Sequence, residues 1–411
     1  MAGKIAMIGA FDTKGAEYAF LRERIQAGGG EVLAINTGVL GTTDLFPVDV
    51  EAGEVARAGG GDLPALREKQ DRGEAMKVMT AGAAAVAKRL HDEGTFDGII
   101  GMGGTGGTTI VAAAMRALPV GVPKVCVSTA ASGDTSAYVG TKDVAMVPSI
   151  VDVAGINRVS RMIFARAAGA ICGMVAADVP AAPDGKPIIT ASMFGNTTEC
   201  VGACMEALSA KGYEVLVFHA TGTGGRTMES LVREGLVDAV LDITTTEWAD
   251  TVCGGVFDAG TERLGAAGEM GVPHLIVPGC VDMANFGPMS TVPREYKDAG
   301  RCFYEWNPSV TLMRTNVEEN RRMGEAFAAK ANAARGPVAF LIPLRGVSIL
   351  DGDGQPFCDR QADQAMFDAI KENLNEGIEV VEMDGNINDP AFADRAVEMM
   401  LALIDKKKGE C

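Results

Sequence analysis

Residues 5–38 read IAMIGAFDTKGAEYAFLRERIQAGGGEVLAINTG, and residues 188–221 read IITASMFGNTTECVGACMEALSAKGYEVLVFHAT. The second stretch lies over the first without a gap at an offset of 183 residues. Ile5 meets Ile188, Phe11 meets Phe194, Ala27 meets Ala210, Gly29 meets Gly212, and Glu31, Val32 and Leu33 meet Glu214, Val215 and Leu216. Each copy runs from an apolar strand through a polar turn into a helix, then a glycine and a second strand. That is a βαβ unit, whose parallel strands take a right-handed crossover. A repeat on this scale organises the whole chain. It predicts an α/β protein of two Rossmann-like domains with mainly parallel sheets, related by the internal repeat. The Pro-rich stretch 179–185 between the copies is the natural linker, which sets the domains at 1–183 and 184–411.

Outward from the repeat, FDGIIG, KVCVST and AMVPSI are further strands of the first domain, with helices over 77–93, 108–117 and 153–168. AVLDIT, HLIVPG, VAFLIPL and EVVEMD serve the second. Such Val/Ile-rich runs without strict alternation suit parallel strands covered on both faces. Segment 39–76 lacks clear periodicity and reads as an insertion or lid. Segment 285–308, broken by Pro288, Pro293 and Pro308, reads the same way.

The composition bounds the function. A chain of 411 residues allows two domains or three at roughly 150 residues each. With 37 Lys+Arg against 54 Asp+Glu the net charge is −17, a field that repels nucleic acid and anionic membranes. The only tight basic cluster, Lys406, Lys407 and Lys408, suits a solvated helix end. Nine scattered cysteines without a CxxC pair fit a reducing compartment, and the N-terminus reads as a strand rather than a signal peptide. The most apolar stretch, 167–177, is too short to span a bilayer. A cytoplasmic protein is expected, and prevalence alone makes it a homo-oligomer.

The richest chemical signal is Gly101-Met102-Gly103-Gly104-Thr105-Gly106-Gly107-Thr108-Thr109, between the strand FDGII and the helix TTIVAAAMRAL. Glycines let backbone N–H groups approach an anion at a helix start. The pattern matches GxGxxG formally, but it follows a late strand and no acid ends the next one, which disfavours NAD. No Lys-Ser/Thr follows the glycines, so it is not a Walker A loop either. The competing reading is a tight turn whose glycines only serve packing. Asp12, Thr13 and Lys14 end the first strand, at the edge where doubly wound sheets bind ligands, with Lys14 placed to neutralise phosphate and Thr13 able instead to cap the helix. Thr129, Ser132, Gly133 and Asp134 follow the next strand, with Asp143 and Asp152 downstream. Carboxylates and hydroxyls converging there suit Mg²⁺, against a reading as Asx and Ser turns. Thr221, Gly222, Thr223, Gly224, Gly225 and Arg226 form the matching loop of the second domain, either a substrate contact or an ordinary helix start. Three histidines, His91, His219 and His274, lie in unrelated contexts, so a histidine-based metal site or triad is not expected. Asp351-Gly352-Asp353-Gly354 lacks the rest of an EF-hand pattern and reads as a turn.

FDTKGAEYAF, GMGGTGGTT and the long VSTAASGDTSAYVGTKDVAMVPSIVDVAGINRV resemble the ATP-binding domain of the plant tobamovirus-resistance proteins and their bacterial and fungal relatives. The resemblance continues through IPLRGVSILDGDGQPF and INDPAFAD and so covers essentially the whole chain. It implies a two-domain Rossmann-like fold that binds ATP with Mg²⁺. In the plant proteins this region inhibits viral replication and precedes a TIM-barrel-like half. Nothing after Leu401-Ala402-Leu403 leaves room for that half, so the antiviral role is not carried over, and a separate barrel protein is the expected partner.

The leading expectation is thus an ATP-binding protein, acting as an enzyme on a small anionic metabolite in an interdomain crevice. Gly103, Gly104, Thr105, Gly106, Gly107 and Thr108 would cradle phosphates, together with Asp12, Thr13, Lys14, Thr129, Ser132 and Gly133. Asp134 and Asp143 would hold Mg²⁺ and, with Lys14, serve catalysis by positioning and electrostatics. Residues 221–226 would contact the second substrate. Two alternatives stand beside it: a nucleotide sensor or scaffold without turnover, and an enzyme on a phosphorylated or carboxylated metabolite without ATP. Fold does not choose among them.

Overall fold

The structure, a computed structural model, describes residues 3–180 and 185–409. It divides into two compact units, Met1–Ala181 and Ala182–Cys411. The linker residues 181–184 and Cys411 lie outside the described residues.

In the first unit five strands, β1 (Lys4–Gly9), β2 (Glu31–Asn36), β3 (Gly98–Gly103), β4 (Lys124–Ser128) and β5 (Ala145–Pro148), form one parallel sheet in the order β2-β1-β3-β4-β5. This is the 2-1-3-4-5 order of a doubly wound sheet, with its switch point between β1 and β3. One face is covered by the helix Arg72–Asp92 through Met79, Ala83 and Val86 and by Thr105–Arg116 through Ile110, Val111 and Met115. The other is covered by Phe11–Ala27 through Tyr18, Leu21 and Ile25 and by Arg158–Ala176 through Phe164, Ala167 and Ile171. β1 and β3 pair from Ile5–Gly98 to Ile8–Gly101 and then diverge. The buried Tyr18 hydroxyl fills the gap. It accepts from Met102 N at 2.8 Å and lies 2.8 Å from Ile8 O and 2.7 Å from Met102 O, the two carbonyls its proton can reach. Gly9 permits this, because a Cβ there would overlap the tyrosine ring and hydroxyl.

The second unit continues with β6 (Ile188–Met193), β7 (Glu214–His219), β8 (Ala239–Thr244), β9 (His274–Gly279), β10 (Met283–Phe286), β11 (Phe303–Asn307), β12 (Val310–Arg314), β13 (Val338–Pro343) and β14 (Glu379–Met383). Its main sheet is parallel, in the order β7-β6-β8-β9-β13-β14, which repeats the first arrangement and adds a strand. The switch point is now β6/β8, and Ser192 Oγ accepts from Thr244 N there at 2.9 Å. Ser192 stands at the repeat position of Gly9, so each unit closes its diverging strands with a hydroxyl, one borrowed from a helix and one from the strand itself.

Sequence and structure part in several places. Segment 39–76 is not irregular but carries the helices Ala52–Ala58 and Leu63–Lys69 and the start of Arg72–Asp92. That last helix begins five residues before the expected position because the Asp71 side chain caps it through Gly73 N and Glu74 N. Arg158–Ala176 begins later than expected, where Asn157 and Ser160 form a capping box. Segment 285–308 is largely ordered: β10, β12 and β11 make a small antiparallel sheet in that order. Among the described residues Arg158–Ala176 is long and apolar enough to cross a membrane, which the stretch 167–177 alone is not. It nonetheless sets one face into the core and carries Arg158, Arg161 and Arg166. All eight described cysteines are free.

Candidate functional site

The divergence of β1 and β3 opens a cavity of about 390 Å³ at the C-terminal edge of the first sheet. Thr13 and Lys14 reach it from the loop after β1, Gly103 to Gly107 from the loop after β3, Arg72 from a helix start, and Asp152 from beyond β5. Two helices begin there with no cap from the residue before them: Phe11–Ala27 after Ala10, whose first N–H donates to Asn36 Oδ1 at 3.2 Å, and Thr105–Arg116 after Gly104, whose start has no side-chain cap. Uncapped helix starts present N–H groups and the positive end of the dipole. Lys14 and Arg72 add two cations to the same wall.

The glycines of the loop fall into two sets. A Cβ on Gly101 would come within 2.7 Å of Ile8 O, and one on Gly103 within 2.8 Å of Gly107 Cα, so packing explains both. At Gly104, Gly106 and Gly107 nothing lies closer than 3.7 Å, and none has a positive φ. Neither packing nor backbone conformation requires glycine at these three, and all line the cavity. What their missing side chains leave is room for something to approach the backbone.

A second cavity of about 500 Å³ adjoins over β4 and β5 and shares Gly104, Thr105 and Asp152 with the first. Thr129 and Ser132 line it, as does Ile150. Ile150 is 70% exposed with φ 65°, a left-handed conformation that costs a β-branched residue about 1–3 kcal/mol. The bond Val151 N to Ser149 O at 2.7 Å and Ser149 Oγ to Val151 O at 2.6 Å hold it there. On the β2 side a third cavity of about 630 Å³ shares Thr13 and Arg72 and is walled by Leu40, Leu66, Met79 and Ile110.

Several expected ligands are engaged elsewhere. Asp12 Oδ2 accepts from Leu40 N at 2.8 Å, and Gly38 is glycine because a Cβ would overlap this carboxylate, so Asp12 is a strut for the loop after β2. Thr108 is buried, 2.6 Å from Ser128 Oγ, and ties its helix to β4 instead of facing a phosphate. Thr13 does not cap its helix. Gly133 and Asp134 lie in an exposed turn outside both cavities; Asp134 accepts from Ser136 N at 2.9 Å, which holds its carboxyl below the usual range. Asp143 is on the wrong edge. It pairs at 2.7 Å with Lys124, the first residue of β4, and accepts from Gly121 N. Partial burial works against ionisation there, yet these two bonds hold the carboxyl low. A pair of Asp134 and Asp143 around one metal is therefore not assembled. Among the described residues no group of three or more His, Cys, Asp or Glu is placed to hold a metal.

The loop of residues 221–226 needs a larger correction. It follows β7, an edge strand, whereas the glycine loop of the first unit follows central β3; its counterpart by topology is Thr244, Thr245, Thr246 and Glu247 after β8. An anion already fills the 221–226 loop: Glu247 Oε1 accepts from Gly222 N at 2.7 Å and Gly225 N at 3.0 Å. Arg263 Nε, fully buried, donates to the other Glu247 oxygen at 2.7 Å and also pairs with Asp242 and Glu229. Arg226 donates to Asp258 O at 2.7 Å. Gly222 and Gly225 are thus committed inside the unit, whereas Thr223 and Arg226 stay exposed at its surface.

Arg72 and Glu247 were missed by sequence reasoning. Arg72 carries a signal, an Asp immediately before it that starts a helix; Glu247 carries none, since its partners lie 22 and 25 residues away.

Residues 3–180 match the family described as Uncharacterised protein family (UPF0261) N-terminal domain, and residues 186–404 its C-terminal domain. A UPF0261 protein of Clostridium tetani is 48% identical over 407 residues, covering 99% of this chain and 100% of that one. One from Mesorhizobium japonicum is 46% identical over 95% of this chain and 96% of its own. The ToMV resistance protein Tm-1(GCR237) of tomato, Solanum lycopersicum, is 42% identical over 82% of this chain, which spans 45% of the tomato protein.

Proposed function

The chain belongs to the UPF0261 family over both of its units, and from that premise we propose that the first unit binds a phosphorylated ligand, ATP with Mg²⁺, at the β1/β3 switch point. The observation that carries this reading is the trio Gly104, Gly106 and Gly107, glycines that the fold does not need and that face the cavity. A phosphate group fits there, since three successive helix-start N–H groups, Lys14 and Arg72 converge on it. The apolar cavity beyond Thr13 and Arg72 takes the base, and Thr129 and Ser132 line a polar extension on the opposite side. Bound Mg²⁺ would screen the phosphate charge. Of the acids in this unit Asp152 is the one that lines both polar cavities, and it replaces Asp134 and Asp143 as the carboxylate that would hold the ion.

Isothermal titration with ATP, with and without Mg²⁺, tests the reading. Saturable binding that tightens with Mg²⁺ is expected, and Asp152→Asn should abolish the tightening while leaving metal-free binding in place. No binding under either condition removes ATP, and a screen of phosphorylated and carboxylated metabolites then identifies the anion. Whether a bound nucleotide is turned over is read by following phosphate release in the same samples.

A further inference from the structure

The motifs IPLRGVSILDGDGQPF and INDPAFAD take no part in the nucleotide site. They meet the loops after β6 and β9 at the C-terminal edge of the second sheet, beside its own switch point. There Asn388 Nδ2 donates to Asn196 O at 2.9 Å, Ser348 Oγ donates to Asp282 Oδ2 at 2.8 Å, and Asn196 Nδ2 lies 3.6 Å from Met283 Sδ. Within this connected group Asn196 Oδ1, Asp282 Oδ1 and Asn388 Oδ1 are buried and receive no hydrogen bond. Asn196 is 1% exposed and Asp282 0%. Native interiors rarely leave such atoms unpaired.

All three orphans are acceptors, so what is missing is a donor or a cation. Charge separates these two. Asp282, Asp351 and Asp363 are buried together, and the guanidinium groups facing them are Arg314 and Arg360. One negative charge is in surplus, which a water molecule would leave in place. Burial and the neighbouring carboxylates push the acids Asp282 and Asp351 upward, the mark of the same surplus. The Cys280 thiol beside them is kept protonated by burial and offers no thiolate. The donors are then one carboxylate oxygen and two neutral amide oxygens, a hard oxygen set, and the single buried surplus charge is what one monovalent ion balances.

We propose that this cluster binds a single monovalent cation, held by Asp282 Oδ1, Asn196 Oδ1 and Asn388 Oδ1. The ion gives the orphaned oxygens a partner and balances the cluster. It fastens the loops after β6, β9 and β14 to one another.

The test is thermal unfolding of the full chain after dialysis against chelator and choline chloride. KCl, NaCl and ammonium chloride are each substituted for choline at constant ionic strength, and MgCl₂ is tried separately. The unfolding temperature should rise saturably in at least one of the three monovalent salts, since a ligand bound only to the folded state stabilises it. The salt that acts identifies the ion. Asp282→Asn and Asn196→Ala should abolish the response with unchanged far-UV circular dichroism, and the second serves if the first does not fold. Equal midpoints in choline and all three salts would overturn the proposal, leaving a shared proton or a water among these oxygens. So would a response that persists in both variants, or one produced by Mg²⁺ alone.

Discussion

Gly106 is the second residue of its helix, where alanine is the better residue by part of the ~0.8–1 kcal/mol it gains in a helix interior. A Cβ there would meet nothing nearer than 3.7 Å. Gly106→Ala should therefore raise the unfolding midpoint in urea and at the same time weaken ATP binding by at least about tenfold, roughly 1.4 kcal/mol. Stability and affinity moving in opposite directions is the signature of a residue kept for its ligand; a variant that binds as tightly as the parent would remove the cradle. Tyr18 behaves in the reverse way. Tyr18→Phe leaves Met102 N without its acceptor in a dry interior, and a loss of about 1–3 kcal/mol is expected in the same urea titration. The glycine run was legible in the sequence because five glycines in the seven residues 101–107 mark a strand-to-helix junction where the backbone is closely approached. Tyr18 was not, because its bond to Met102 spans 84 residues and nothing local marks it.

At the scale of elements, the parallel strands and the repeat were legible because apolar runs and glycine spacing survive the 183-residue offset. What failed was the placement of the second loop. Resemblance in composition, TGTGG against GGTGG, outweighed topology, which puts one loop after an edge strand and the other after a central one. The small antiparallel sheet was hidden by the prolines flanking its four- and five-residue strands. Asp134 and Asp143 were grouped because they are near in sequence, yet the chain between them crosses from one edge of the sheet to the other. Glu247→Gln tests the loop that was misread. It removes one of the three carboxylates paired with buried Arg263 and takes the charge from the acceptor of Gly222 N and Gly225 N, a loss of about 1.5–3 kcal/mol. Amide exchange at Gly222 and Gly225 should speed up well before that of the sheet.

For the whole molecule, buried carboxyls set the dependence of stability on pH. Burial pushes Asp250 up to about 8, against bonds from Asn285 that work the other way. The unfolded chain releases that proton near pH 4, so between about pH 4 and pH 8 the folded state holds a proton the unfolded state does not, and stability falls as pH rises through this window. Asp242 has the opposite sign. Burial works against its ionisation, but Arg263 and His274 overcome that and hold it low, so its contribution is lost as pH falls below about 4. Unfolding temperature should thus be highest on the acid side of neutrality, and Asp250→Asn should flatten the decline toward pH 8. Glu247 has one more consequence. A carboxylate tethered to its own cradle has an effective concentration of millimolar or more, which a freely diffusing metabolite must outcompete. The second unit's glycine loop is thereby closed to exchange, and a soluble anion titrated into the protein should saturate at one equivalent per chain.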